Sequence, residues 1–310
     1  MSPDLAESKG QVEDQPTALS TGRVHFSHIV VGIDLSKYAS RVLKTAISLA
    51  QVFGANLTVV HAVSPTAFDS NGRQASCEVV TAGRDADEAE LQRLVECTPG
   101  LRELKPRTVV EYGEPTSLIK RTARESPADL IVLGSHGASG LDRLALGSVA
   151  EAILRTTICP VMIVGPEYEA AQQLFRSILF ATDLKTTGLV GAQYAASLAE
   201  QFHGELTILH VENKRYLSSG LLYELFRDRV QRRLRALLPA NIEQFCKIKV
   251  RYELGNPSAA IIAAAYEESA SLVIVGARDK KLSDHAPWST LSHIIRDAKC
   301  PVLGIKDPAP

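Results

Sequence analysis

The chain is 310 residues long, 45% hydrophobic and 22% charged, with a formal net charge of -1. That length accommodates two ordinary domains, and the composition is that of a globular protein able to bury a full core, not of a disordered or fibrous chain. The balanced charge argues against a broadly basic nucleic-acid binder or a protein held on an anionic membrane, and the five cysteines lack CxxC or Cys/His ligand spacing, which argues against a disulfide framework or a zinc site.

Residues 1–24 are polar and acidic, without the basic start and apolar centre of a signal peptide, and are expected to be a disordered tail. No apolar run approaches the roughly 20 residues of a transmembrane helix, so a soluble, cytoplasmic protein is expected. Folded structure is expected from His25, with Ile29–Ile33 as a strand buried on both faces and Asp34 at its carboxyl end. After Ser36, Arg41–Phe53 places Val42, Leu43, Ala46, Ile47, Leu49, Ala50 and Phe53 at helical spacing, and Gly54 is a stop signal. Leu57–Val63 reads as a strand, 64–82 as irregular, Asp85–Cys97 as an acidic amphipathic helix, and Thr108–Tyr112 as a short strand. Glu114-Pro115 opens a helix to Glu125, Asp129–Leu133 is a buried strand, a helical pattern covers Val149–Thr156, and Pro160–Val164 closes the unit. Strands alternating with helices predict parallel βαβ units.

The second half repeats the first. ILFATDL (178–184) answers the first strand and Asp183 answers Asp34; SLAQVFGANLTVVH and SLAEQFHGELTILH align without a gap, so His61 meets His210. YGEPTSLI answers LGNPSAAI, DLIVLGS answers SLVIVGA, and Cys159-Pro160-Val161 answers Cys300-Pro301-Val302. Two homologous domains are the economical reading, at 25–166 and 175–307, with the pattern broken between Gly165 and Arg176.

Between the fourth strand and the following helix lies GSHGASGLDRLALGS, Gly134–Ser148. Its glycines allow positive φ and close backbone approach, and a helix N-terminus presents unpaired N–H groups and partial positive charge, a combination suited to phosphate. Taken alone, such a loop is more often a surface turn ending in a serine cap.

With Asp34, the SHGxxG loop, Gly147-Ser148 and the CPV strand in place, the chain resembles the universal stress protein family in its tandem form. The pattern Gly-x2-Gly-x9-Gly-[Ser/Thr], here Gly134, Gly137, Gly147 and Ser148, marks the nucleotide-binding branch. The resemblance implies two Rossmann-like, doubly wound α/β domains, each a five-stranded parallel sheet of order 3-2-1-4-5 with helices on both faces. Ligands of such sheets sit where the strand order reverses, which brings Asp34 and Gly134 to one crevice. It further implies ATP, with Mg2+ carried on its phosphates, bound in the first domain. Gly32, Ile33, Asp34 and Ala62 would line the adenosine end, Leu133 would also contact the ligand, Gly134 and Gly137 would wrap the phosphates, and Gly147, Ser148 and Val149 would offer helix N–H groups. Gly140 is kept with the site as a turn residue. His136 and Arg143 are the nearby side chains able to add charge. Asp34 is equally placed to cap the following helix, and Ser148 to act as a simple cap; these readings stay open.

In the second copy Gly276 survives, but Asp279 and Leu282 stand for Gly137 and Gly140, and Trp288 for Gly147, so no ordinary ATP site is expected there. His61 and His210 read as packed, hydrogen-bonded histidines, Cys159 and Cys300 as inert thiols, and the arginines of residues 217–238 as a solvated face in preference to an interaction surface. The chain lacks GxxxxGK[ST], HxGH and SGGxDS, so no catalytic residue is assigned and any ATP hydrolysis would be slow. A nucleotide-responsive regulatory module of the stress response leads, with a weak hydrolase or a pure interaction module as alternatives. Pairing of the last strands of the two halves into an intrachain pseudo-dimer is implied by the family, and a homodimer is left open.

Overall fold

The computed structural model describes residues 23–63, 77–135, 146–166, 168, 173–184, 188–213, 220–276 and 286–306. The first half runs β1 (His28–Ile33), α1 (Ala39–Phe53), β2 (Asn56–Val63), α2 (Cys77–Cys97), α3 (Leu101–Leu104), β3 (Arg107–Tyr112), α4 (Pro115–Glu125), β4 (Leu130–Gly134), α5 (Ser148–Thr156) and β5 (Val161–Val164). The second runs β6 (Ser177–Ala181), α6 (Gly188–Gln201), β7 (Glu205–Glu212), α7 (Gly220–Ala236), β8 (Lys247–Leu254), α8 (Pro257–Glu267), β9 (Leu272–Gly276), α9 (Ala286–Asp297) and β10 (Val302–Ile305). Two sequence expectations need correction: α2 begins at Cys77, inside the stretch read as irregular, and α3 went unseen because four residues are too few to show a helical period.

The ten strands among the described residues form one sheet, ordered β3-β2-β1-β4-β5-β10-β9-β6-β7-β8. Each half therefore has the expected order 3-2-1-4-5, and the two meet where β5 pairs antiparallel with β10, Met162 opposite Leu303. Every residue of both strands is buried, consistent with strands covered on both faces. One core cluster lies under α1, α2, α6 and α7, and a second under α4, α5, α8 and α9.

Aromatic packing and polar latches reinforce the junction. Phe53 meets Phe26, Phe175 and Phe202 edge-on at centroid distances of 4.9, 5.8 and 5.7 Å, and Phe175 stacks on Phe202 at 4.5 Å. The Val24 N–H donates to Ser197 Oγ at 2.7 Å and Gln201 Nε2 donates to the Val24 carbonyl at 2.9 Å, tying the entry to β1 onto α6. The residue after each last strand reaches the other half. Gly165 lies under the Ile295 and Ala298 carbonyls at the end of α9, and buried Lys306 donates from Nζ to the Arg155 carbonyl at the end of α5. A cation at a helix C-terminus meets unpaired carbonyls and the negative end of the helix dipole. No described helix is long and apolar enough to cross a membrane.

Helix α4 shows how local sequence sets an element boundary. The Glu114 carboxylate accepts from the backbone N–H groups of Thr116 and Ser117 at 2.9 and 2.6 Å, with Pro115 as first helical residue. Burial pulls the Glu114 pKa upward, yet the hydrogen bonds from Thr116 and Ser117 outweigh it and hold the group below its ordinary value. A depressed carboxylate stabilises the fold above its unfolded pKa, and this is lost as pH falls through the folded one. Glu114→Ala should therefore lower stability by about 1 kcal/mol at neutral pH. In denaturant titrations its difference from the native chain should shrink once the pH falls below the glutamate range. Lys306→Met should lower stability by roughly 1 kcal/mol through the lost cap on α5, and Lys306→Arg should retain most of it.

Candidate functional site

The carboxyl ends of β1 and β4 are adjacent, Gly32 pairing with Leu133, so Asp34 and Gly134 follow neighbouring strand ends at the reversal of strand order. Gly32 is buried, and a Cβ there would meet Leu133 Cδ2 at 2.6 Å and Ile119 Cδ1 at 2.8 Å. It is a glycine because α4 and β4 close over it. Leu133 is itself core, at 3% exposure, so both residues can offer a ligand backbone atoms only. Ile33 packs toward α1 and Ala62 toward the α4 face.

Asp34 does not cap α1. The cap position is Tyr38, without a side-chain bond, and α1 starts five residues beyond the aspartate. Instead Asp34 Oδ1 accepts from the Ser36 N–H at 3.1 Å, and Ser36 Oγ from the Tyr38 N–H at 3.2 Å, a two-step turn into the helix. Leu35 between them has φ +55°, and Leu184 in the second half has φ +58°. A left-handed leucine costs about 1–2 kcal/mol. Burial of both side chains against the core offsets that, and recurrence in both halves marks the turn as part of the fold.

The turn leaves Asp34 Oδ2 buried without a hydrogen-bond partner among the described residues. A buried, unsatisfied carboxylate oxygen is expensive, about 1–3 kcal/mol or more. Behind it His61, 7% exposed, donates from Nδ1 to the Ile33 carbonyl at 3.0 Å and sets Nε2 3.2 Å from Asp87 of α2. His61 thus holds the end of β1 as a packed group, as expected. His210 does the same for Thr182 at 2.8 Å and stacks on Tyr252.

At β4 the Ser135 N–H donates to the Val164 carbonyl at 3.0 Å, and the Gly147 N–H to the Ser135 carbonyl at 2.8 Å. The two stems of the glycine loop are thereby fastened together at the sheet edge. His136, Gly137, Gly140 and Arg143 lie outside the described residues. Gly147, not Ser148, is the cap residue of α5, so no side chain covers the first turn, and Ser148 is exposed as its first helical residue beside half-buried Val149. The open cap leaves the first N–H groups of α5 available to an anion.

Beside Gly134 is a shallow, open depression lined by Tyr38, Arg41, Val42, Gly134, Ser135, Val164, Gly165 and Pro166; Asp34 is not part of its lining. Arg41 and Tyr38 were not singled out in the sequence, where Arg41 reads as the start of a helix and gives no sign of facing β4. Asp87, the partner of His61, was equally hidden in an acidic helix. Among the described residues, no three His, Cys, Asp or Glu side chains gather as a metal site. The thiols of Cys159 and Cys300 are both pushed up to about 12, Cys159 by burial and the nearby Asp129 charge and Cys300 by burial, so both stay protonated near neutrality.

These features define a tandem, doubly wound α/β protein with an open depression beside the switch point of its first half. The family model of the universal stress proteins matches residues 25–165 and again 174–306, and the chain belongs to that family. Universal stress protein MJ0531 of Methanocaldococcus jannaschii is 30% identical over 146 residues, 47% of this chain and 86% of the relative. Universal stress protein A homolog 1 of Coxiella burnetii is 33% identical over 144 residues, 46% of this chain and 97% of the relative. Among solved structures, a universal stress protein from Archaeoglobus fulgidus superposes with a TM-score of 0.67 at 21% identity, covering 90% of this chain and 96% of its own, a likeness of fold.

The unpartnered oxygen predicts a substitution that separates binding from stability. Asp34→Ala removes the unsatisfied oxygen together with the bond from the Ser36 N–H, so thermal unfolding of the unliganded protein should change little. The same substitution should weaken any nucleotide binding by about 10–100-fold, the value of a hydrogen bond to a charged group.

Proposed function

We propose that this universal stress protein binds one adenine nucleotide per chain in the first domain and acts as a nucleotide-responsive regulatory module of the stress response. The two units of this reading are residues 25–166 and 175–307. The observation that supports it is the buried Asp34 Oδ2, unpartnered among the described residues, which a base or ribose donor would complete, together with the start of α5, which no side chain caps. Gly32, Ile33, Ala62 and Leu133 would surround the adenosine. The glycine loop with Gly134, Gly137 and Gly140, the N–H groups of Gly147, Ser148 and Val149, and His136 and Arg143 would take the phosphates. ATP with Mg2+ on its phosphates suits a site that gathers N–H donors and no carboxylate cluster for the metal.

The second domain supports a single site. Asp183 has a partner, no buried oxygen lacks one among the described residues there, and glycines of the loop are replaced. At an effective dielectric near 20, a carboxylate such as Asp279 about 4 Å from a phosphate would oppose it by about 4 kcal/mol per unit charge. The second domain would then serve packing or regulation.

Isothermal titration of the full chain with Mg-ATP tests the reading. The expected result is a stoichiometry of one, binding abolished by Gly137→Asp and retained by Gly276→Ala. No binding, or binding lost only with Gly276→Ala, would overturn it. Turnover, if seen, should be slow and should vanish in a His136→Ala, Ser148→Ala double variant.

A further inference from the structure

The chain is almost neutral overall, but two equivalent helices at opposite ends of the sheet carry charge of opposite sign. Helix α2 packs over β2 and β3 at one edge, and α7 over β7 and β8 at the other; both join the same core cluster and so lie on the same face. They are structural counterparts, each pinned by one fully buried leucine, Leu91 and Leu234. From position 83 to 97, α2 carries five acids against two arginines; from 224 to 236, α7 carries five arginines against two acids.

Pairs within each helix and its surroundings consume part of this. Arg84 bonds Glu88 and Arg93 bonds Glu90 on α2, while Arg227 bonds Glu224 and Arg235 bonds Glu243 on the α7 side. Asp85 and Glu96 on α2, and Arg229 and Arg232 on α7, remain exposed with no side-chain partner among the described residues. The remainder is ordered. Asp85, Ala89, Gln92 and Glu96 recur at i, i+4, i+7 and i+11, one stripe of α2; Leu225, Arg229, Arg232 and Ala236 recur at the same spacing on α7. Leu225 is 61% exposed, and its neighbour Phe226 is 45% exposed. One stripe is therefore anionic around a small alanine, and the other cationic beside a large apolar pair.

We infer that this chain self-associates by seating α7 of one copy on α2 of a second copy. A two-fold arrangement makes the contact twice, with unlike charges meeting each time, whereas α2 on α2 or α7 on α7 would set like charges together. Leu225 and Phe226 fill the space left by Ala86 and Ala89, and the charges set register and partner choice. The net charge of -1 leaves little long-range repulsion between copies. The inference stands whether or not the first domain binds nucleotide.

Sedimentation velocity of the full chain tests it. At about 50 mM salt a species of twice the chain mass is expected, and it should weaken about tenfold or more at about 500 mM, where the screening length is about threefold shorter. The Arg229→Glu, Arg232→Glu double variant and the Asp85→Arg, Glu96→Arg double variant should each be monomeric, with native circular dichroism and thermal unfolding. An equimolar mixture of the two should form a heterodimer through two complementary contacts, one native and one with its charges exchanged. Leu225→Ser should weaken the native dimer and leave its salt dependence in place. A monomer at every salt concentration, a dimer indifferent to both charge reversals, or an α7 reversal that abolishes only binding of a polyanion such as single-stranded DNA would overturn the inference.

Discussion

The pairing of β5 with β10 is the constraint on which the molecule rests. Each half is an open parallel sheet whose fifth strand is buried on both faces, and without a neighbour it would expose a flat apolar edge. Joining the two strands antiparallel removes both edges at once and turns two sheets into one of ten strands. It also dictates the internal two-fold relation, so that Phe53 at the end of α1 meets Phe202 just beyond α6 and the aromatic cluster of Phe26, Phe53, Phe175 and Phe202 can form. The outer edges are left to β3 and β8. On β8, Lys247 and Lys249 point into ion pairs with Glu205 and Glu268, the kind of charged decoration that discourages edge-to-edge association.

On this symmetric frame the two halves have diverged at their carboxyl edges. Both keep a strand-terminal aspartate, a left-handed leucine and a histidine that fastens the strand end, and these shared devices belong to the fold. The first half alone adds the glycine loop and an aspartate oxygen that accepts from no donor among the described residues. A protein tolerates such an oxygen where something else completes it, and the cost is carried by the folded scaffold around it. Lys306 connects this divergence to the other half, since it caps from the second domain the same helix whose opposite end follows the glycine loop.

Periodicity alone located the strands and most helices of the first half to within a residue or two, because each buried strand is a short apolar run and each helix has one apolar stripe. It failed at α2, whose first turn carries no clear stripe, and at α3, which is shorter than a period can reveal. Placing Asp34 and Gly134 together required the strand order, which the family resemblance implied and the β1–β4 register shows. The alternatives left open for Asp34 and Ser148 were decided by backbone geometry. The helix begins too late for the aspartate to cap it, and Gly147 occupies the cap position in place of the serine.

By itself, the sequence determined the tandem repeat, the α/β class and the contrast between an intact and a degraded glycine loop, because these are properties of residue type and spacing. Only the tertiary structure decided that Gly32 is a packing glycine, that His61 is held by Asp87, that Arg41 and Tyr38 border the depression beside Gly134, and that Asp34 Oδ2 has no partner among the described residues. Each depends on distances between elements far apart in the chain, and no local pattern encodes those distances.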